Sequence, residues 1–202
     1  MSIAGTLIDA LYLTVLVNPI SKISVLALFP TSEGRAELRS AAIRASAIAY
    51  VILFGMALGG DLLLRTVFHV DLYSLQIAGG VVLFVVGFRA LTRGVFFELE
   101  MSSRLSDISI VPLASPLIAG PATISASLSM GAEHGHIQVG LALLIAVSCN
   151  LGLMLLAVPI GGFLTRHNIM GALIRITGLL VTTIGVQLVL GGVSAWLSTA
   201  GV

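Results

Sequence analysis

The chain has 202 residues, 57% of them hydrophobic and only 9% charged, with a mean hydropathy of +1.11. Soluble domains carry about 25% charged residues, so this composition excludes a soluble domain and indicates an integral membrane protein. A net charge of +1 leaves no basic surplus for nucleic acid and no acidic tail, and the lone Cys149 excludes an internal disulfide.

Six apolar stretches are each long enough to span a bilayer as about 20 helical residues. They run from Ala4 to Phe29, Ala41 to Gly60, Leu72 to Leu91, Ile108 to Met130, Ile137 to Ile160 and Ala172 to Leu197. The N-terminus has no positively charged segment, so the first stretch is expected to be a retained span and not a cleaved signal. The expected fold is all-α, with six transmembrane helices.

The first span is interrupted at Leu16-Val17-Asn18-Pro19-Ile20-Ser21-Lys22. Pro19 lacks an N–H and its ring clashes with the preceding turn, so a helix cannot run straight through. The break lies near mid-membrane, where freed backbone groups are tolerated only if protein buries them or they line a cavity. Lys22 follows within one turn, and a lysine at that depth is either functional or snorkels to the surface.

A polar connection from Thr31 to Arg39 leads to span two, and another from Asp61 to Asp71 leads to span three, where Gly80, Gly87 and Gly94 recur every seven residues. The third connection, Arg89 to Asp107, is the longest, and Val95-Phe96-Phe97 in it suggests a short interfacial helix. Span four is broken like span one, at Val111-Pro112-Leu113-Ala114-Ser115-Pro116-Leu117-Ile118-Ala119-Gly120-Pro121. Past it, His134 and His136 fall in a connection from Gly131 to His136, where solvated side chains are the expectation and a metal pair the exception. Span five carries Asn150 midway, able to brace the breaks or to bond a neighbouring helix. After a connection from Thr165 to Asn168, span six repeats the glycine pattern at Gly171, Gly178, Gly185 and Gly192.

A shift of 98 places Gly80 on Gly178, Gly87 on Gly185 and Gly94 on Gly192, and a shift of 97 places Pro19 on Pro116. The chain therefore reads as two three-span repeats, 1–100 and 101–202. An odd number of spans per repeat makes the second enter the membrane inverted. The glycines form a smooth stripe on spans three and six, suited to close helix packing or to sliding. Eight arginines, Arg35, Arg39, Arg44, Arg89, Arg93, Arg104, Arg166 and Arg175, lie on or beside connections one, three and five, against Arg65 alone on the other side. By the positive-inside tendency both termini then lie outside the cytoplasm, with the chain a multi-pass protein of the cytoplasmic (inner) membrane.

Half-helices restarting at Ile20 and Ala122 direct free N–H groups and positive dipole ends toward mid-membrane. Two such ends suit an anionic group such as a carboxylate. The candidate substrate-binding residues are Asn18, Pro19, Ser21, Lys22, Ser115, Gly120, Ala122, Thr123 and Asn150. An α-amino group is expected to meet the carbonyls of Val17 and Ala119, or Asn18 and Ser115. Serines such as Ser24, Ser125, Ser127 and Ser129 are expected either to face the site or to bond back to their own helix. No zinc, phosphate-loop or nucleophile-and-base motif is visible, and the spans read as holding no deep histidine or aspartate, so no enzyme activity and no cofactor are expected.

At Asn18-Pro19-Ile20, at Pro112-Leu113-Ala114 with Ile118-Ala119-Gly120-Pro121, and at the glycine-bearing third and sixth spans, the sequence resembles the MarC family of integral membrane proteins. The resemblance covers nearly the whole chain. It implies six spans and transport of small neutral amino acids such as glycine or alanine, coupled to an ion, Na+ or H+. It departs from the family pattern at Ser21, Ser115 and Ala122, each of which adds a side chain at a break. Lipid is the expected surrounding, and a homo-oligomer is compatible with the chain. The alternatives are an aquaporin-like channel for a small polar solute, whose half-helices fall elsewhere and both carry Asn-Pro-Ala, and an intramembrane enzyme or structural subunit.

Overall fold

A computed structural model describes residues 2–26, 35–96 and 118–200. Ser115, Pro112, Pro116 and Arg104 lie outside the described residues, as does the first half of the expected fourth span. Among the described residues the regular structure is helical throughout: α1 (Ile3–Val17), α2 (Pro19–Leu26), α3 (Arg35–Leu63) with a π-helical extension (Leu64–Phe68), α4 (Leu72–Arg93), α5 (Pro121–His134), α6 (His136–Leu155), α7 (Ala157–Arg166) and α8 (Met170–Ala200). Among the described residues, five segments are long and apolar enough to cross a membrane: Ile3–Ser24, Arg39–Phe68, Leu72–Arg93, His136–Leu155 and Met170–Thr199.

The centre of the molecule is α6, which packs against α1 on one side and α3 on the other. Ala42, Ala45, Ala49, Leu53 and Ala57 recur at helical spacing along one face of α3, and their small side chains let α6 approach. Val139, Ala142, Leu143 and Ala146 of α6 answer them, and Leu13, Leu16 and Val17 of α1 complete the core. Outward faces of α1, α3, α4 and α8 carry exposed Ile8, Leu11, Val51, Val85 and Leu179, as contact with lipid requires.

The two glycine-striped helices, α4 and α8, share the most extensive contact among the described helices. A Cβ built on Gly80 would sit 2.6 Å from the Gly185 carbonyl oxygen, and one on Gly178 only 2.8 Å from the Leu91 nitrogen. A Cβ on Gly185 would meet the Phe84 nitrogen at 2.6 Å, and one on Gly192 the Tyr73 carbonyl oxygen at 2.8 Å. The seven-residue glycine spacing thus places backbone against backbone. The helices run antiparallel, because positions ascending α4 meet positions descending α8. The pairing is also reciprocal: Gly80 meets Gly185 and Gly87 meets Gly178, a pattern unchanged when each position is exchanged for its equivalent 98 residues away.

Several boundaries differ from the expectation. The second connection, expected from Asp61, begins as helix: Asp61 and Arg65 form an i,i+4 ion pair at 2.8 Å, and the chain stays helical to Phe68. Span five does not run unbroken to Ile160. It stops at Leu155, turns at Leu156 and restarts as α7, because Pro159 has no N–H to donate to the Leu155 carbonyl. The connection expected from Gly131 to His136 shrinks to Gly135 alone, whose φ of 86° is a glycine conformation. No interfacial helix forms at Val95 and Phe96. Gly94, at φ 72°, closes α4, and Phe96 then turns inward until 3% of it is exposed, packing with Ala90, Ile174 and Val181. Phe97 lies outside the described residues.

Candidate functional site

Asn18 serves two helices at once. It ends α1 in the left-handed region at φ 53°, a conformation asparagine tolerates better than most residues, with its N–H donating to Thr14 O at 3.1 Å and Val15 O at 3.0 Å. Pro19 then opens α2 at the first helical position, where its missing N–H costs no bond. Asn18 Oδ1 accepts from the Ser21 N–H at 3.3 Å, capping the new helix, while Ser21 Oγ donates to Asn18 O at 2.7 Å.

Lys22 does not snorkel. Its side chain is 1% exposed and folds back so that Nζ donates to Val17 O and, at 3.3 Å, to Asn18 O. These are the last carbonyls of α1, where the helix dipole is negative, so the ammonium satisfies freed acceptors and opposes that dipole together. Lys22 fastens the break instead of facing a ligand. The Val17 carbonyl, expected to be available to a substrate amine, is taken by it.

The second break is less self-satisfied. Gly120 precedes α5 with extended backbone (φ −74°, ψ 166°) and offers no side chain to cap it, and Pro121 takes the first helical position. Thr123 Oγ1 donates to Ile118 O at 3.1 Å, and Ile124 N donates to Gly120 O at 2.9 Å. The start of α5 lies close against α4, where a Cβ on Gly79 would come within 3.1 Å of the Pro121 carbonyl oxygen.

The break at Asn18 and the start of α5 open onto one cavity of about 250 Å³. Asn18 and Ser21 line it from the first break, and Gly120, Pro121, Ala122 and Thr123 from the second. The remaining wall is apolar: Leu16 and Val17 of α1, Val82, Leu83 and Val86 of α4, Phe96, and Val181 of α8, with Gly79 at the junction. One side therefore offers helix N-termini, an amide and hydroxyls, and the other offers hydrocarbon. That division suits a small molecule with a charged or polar head and a short apolar tail.

Of the residues singled out from the sequence, Asn18, Ser21, Gly120, Ala122 and Thr123 come together at this cavity. Pro19 sits at the break without lining it, Lys22 is turned away, and Ser115 lies outside the described residues. Asn150 is fully buried on α6 but does not line the cavity; its Nδ2 donates to Met154 Sδ at 3.3 Å, and its Oδ1 has no partner among the described residues. Ser24 and Ser127 bond back to their own helices, at 2.8 Å to Ser21 O and 2.7 Å to Thr123 O. Ser129 instead donates to Glu133 at 2.9 Å and accepts from Gln76 of α4 at 3.3 Å.

Sequence reasoning missed Phe96, Gly79 and a buried acid. The spans do hold an aspartate: Asp9 of α1 is 4% exposed, with Oδ2 3.0 Å from His134 Nδ1 and 2.8 Å from the Gln138 Nε2 that donates to it. His134 and His136 are accordingly not merely solvated, since His136 Nδ1 lies 2.9 Å from Ala57 O. The signal for Asp9 was available, as an acid within an apolar span is costly without partners. No cluster of three or more metal-ligating side chains occurs among the described residues.

Comparison with known proteins agrees with an integral membrane protein. Residues 6–197 match the family model described as MarC family integral membrane protein. A UPF0056 membrane protein of Pyrococcus horikoshii is 33% identical over 184 residues, which cover 91% of each chain. The UPF0056 membrane protein YvbG of Bacillus subtilis is 25% identical, covering 87% of each, and YhcE of Escherichia coli is 26% identical, covering 88% of this chain and 86% of the relative. No solved structure matches the chain.

Proposed function

The chain belongs to the MarC family of integral membrane proteins, and from that premise we propose that it is a secondary transporter of small neutral amino acids across the cytoplasmic membrane. The observation that carries this reading is the shared cavity: a helix interrupted at Pro19 and a helix that opens at Pro121, far apart in sequence, bring their starting ends to one partly apolar chamber. Interrupted helices facing one another at mid-membrane are the usual construction of a transporter's binding site.

Within this reading the carboxylate of the substrate is held at the first turn of α5, by the N–H groups of Ala122 and Thr123, where Gly120 supplies no competing side-chain cap. The α2 end contributes less, because Asn18 already caps it. The α-amino group meets the Asn18 side chain and the Ala119 carbonyl, and the short side chain rests against Val82, Val86 and Val181. Glycine, alanine and serine fit such a chamber, whereas a charged side chain would be desolvated against valine and leucine without a partner. We further propose that residues 1–100 and 101–202 are inverted repeats. The reciprocal glycine pairing of α4 and α8 supports this, because a two-fold axis between the halves generates exactly swapped partners.

The test is uptake of labelled alanine by proteoliposomes containing the purified protein. Saturable uptake is expected, inhibited by glycine and serine but poorly by alaninamide, which keeps the amine and side chain and lacks the negative charge. Equal competition by alaninamide would remove the carboxylate from the α5 terminus. Flux that does not saturate would replace the carrier by a channel.

A further inference from the structure

Apart from the cavity, the described residues contain a polar constellation that three helices build together. Asp9 lies halfway along α1, nine residues before the break, hence about 14 Å from it at 1.5 Å per residue. Its carboxylate is buried between α1, α5 and α6 and receives the Gln138 amide and the His134 ring. His134 closes α5 at its C-terminus, where the dipole favours a positive charge. Its side chain is 42% exposed, so the pair is closed toward the bundle and open to water at the face that carries Ser2 and Gly135. The other ionisable groups nearby are occupied elsewhere: Glu133 of α5 accepts from Ser129, and His136 of α6 is held on Ala57 O.

We propose that Asp9 and His134 form a proton-binding site whose loading is coupled to the movement of α1. The proposal rests on the transport reading above. With Asp9 ionised and His134 and Gln138 neutral, the constellation carries one buried negative charge. A proton arriving from water adds to the exposed imidazole, and the resulting imidazolium beside the carboxylate makes the unit neutral overall. No bond other than N–H forms and no further reactant is needed. A neutral unit crosses or faces hydrocarbon at far lower cost than a charged one. Loading therefore ties α1 to α5 through an ion pair, and release of the proton loosens that tie and lets α1 shift relative to α5 and α6. Since α1 ends at Asn18, that shift reaches the wall of the cavity.

The experiment uses proteoliposomes loaded with a pH-sensitive dye and labelled alanine. It compares accumulation driven by an imposed pH gradient with alanine–alanine exchange, which needs no net proton movement. In the wild type, alanine entry is expected to be accompanied by proton movement. Asp9→Asn and His134→Gln are expected to lower gradient-driven accumulation by about ten-fold relative to exchange, the scale of an ordinary coupling energy, and Asp9→Glu to restore part of it. Equal loss of both modes would make the pair a simple fastener and overturn the assignment. Wild-type accumulation without proton movement would overturn it too, while leaving the transport reading in place. Absence of alanine flux in every mode would bring down the transport reading and this inference with it.

Discussion

Asn18 combines two separable tasks, and substitution can part them. Its left-handed backbone closes α1, and its side chain both caps α2 and lines the cavity. Alanine at this position meets the steric cost of the left-handed region, about 1–2 kcal/mol, and loses the cap, about 1 kcal/mol more. Glycine accepts the backbone and sacrifices only a few tenths of a kcal/mol at the cap, yet it removes the same amide from the cavity. Asn18→Ala is therefore expected to lower both thermal stability in detergent and alanine uptake, and Asn18→Gly to lower uptake with stability nearly intact. Uptake at wild-type level in Asn18→Gly would show that the amide contacts no substrate. Lys22 illustrates the opposite case, a charge that a sequence reader takes for a ligand. Its ammonium is consumed by the carbonyls of Val17 and Asn18 at the end of α1, so chemistry at the break is first of all the satisfaction of its own backbone.

At the scale of elements, the α4–α8 contact is the most extensive among the described helices and gives the most direct prediction. Leucine at Gly178 would drive its Cβ toward the Leu91 nitrogen and the Gly87 carbonyl, backbone atoms that cannot turn aside, whereas Gly171 of the same seven-residue series has open space around it. Gly178→Leu is expected to reduce the yield of folded, monodisperse protein severely, and Gly171→Leu to leave it near wild type, as read by size-exclusion chromatography. Equal yields would count against the packed stripe. This junction was legible in the sequence because a seven-residue period puts every glycine on one helix face. The break at Asn18-Pro19 was legible for an equally local reason. The interruption at Leu156 was not: Pro159 lies inside a long apolar run, and periodicity alone does not say whether such a proline kinks one helix or begins another. The Asp9 constellation was still less visible, because His134 and Gln138 reach the aspartate only through the packing of α1 against α5 and α6. Phe96 escaped because a glycine cap, not helical periodicity, turns it inward.

At the scale of the whole molecule, the contacts between helix ends sort the chain into two faces. A Cβ on Gly5 would lie 3.2 Å from Gln138 Nε2, so the start of α1 meets the start of α6. His136 touches Ala57 O, which brings the far end of α3 to the same place, and Gly192 against Tyr73 joins the end of α8 to the start of α4. Ser2, the turn at residues 69–71, Gly135 and the end of α8 therefore share one face. The opposite face collects Arg35, Arg39 and Arg44 at the start of α3, Arg89 and Arg93 at the end of α4, Arg166 at the end of α7 and Arg175 near the start of α8. Arg65 stays on the first face, held by Asp61. Arginine resists translocation, so the arginine-rich face is expected to remain cytoplasmic and both described chain ends to lie outside. Cysteines introduced singly at Ser2 and Thr199, in a background with Cys149→Ala, test this in intact cells. A membrane-impermeant maleimide is expected to label both from outside, without permeabilisation. Labelling of either site only after permeabilisation would reverse the placement of that end, and reversal of both would put the Asp9 site on the cytoplasmic side, where the same proton chemistry would read internal rather than external pH.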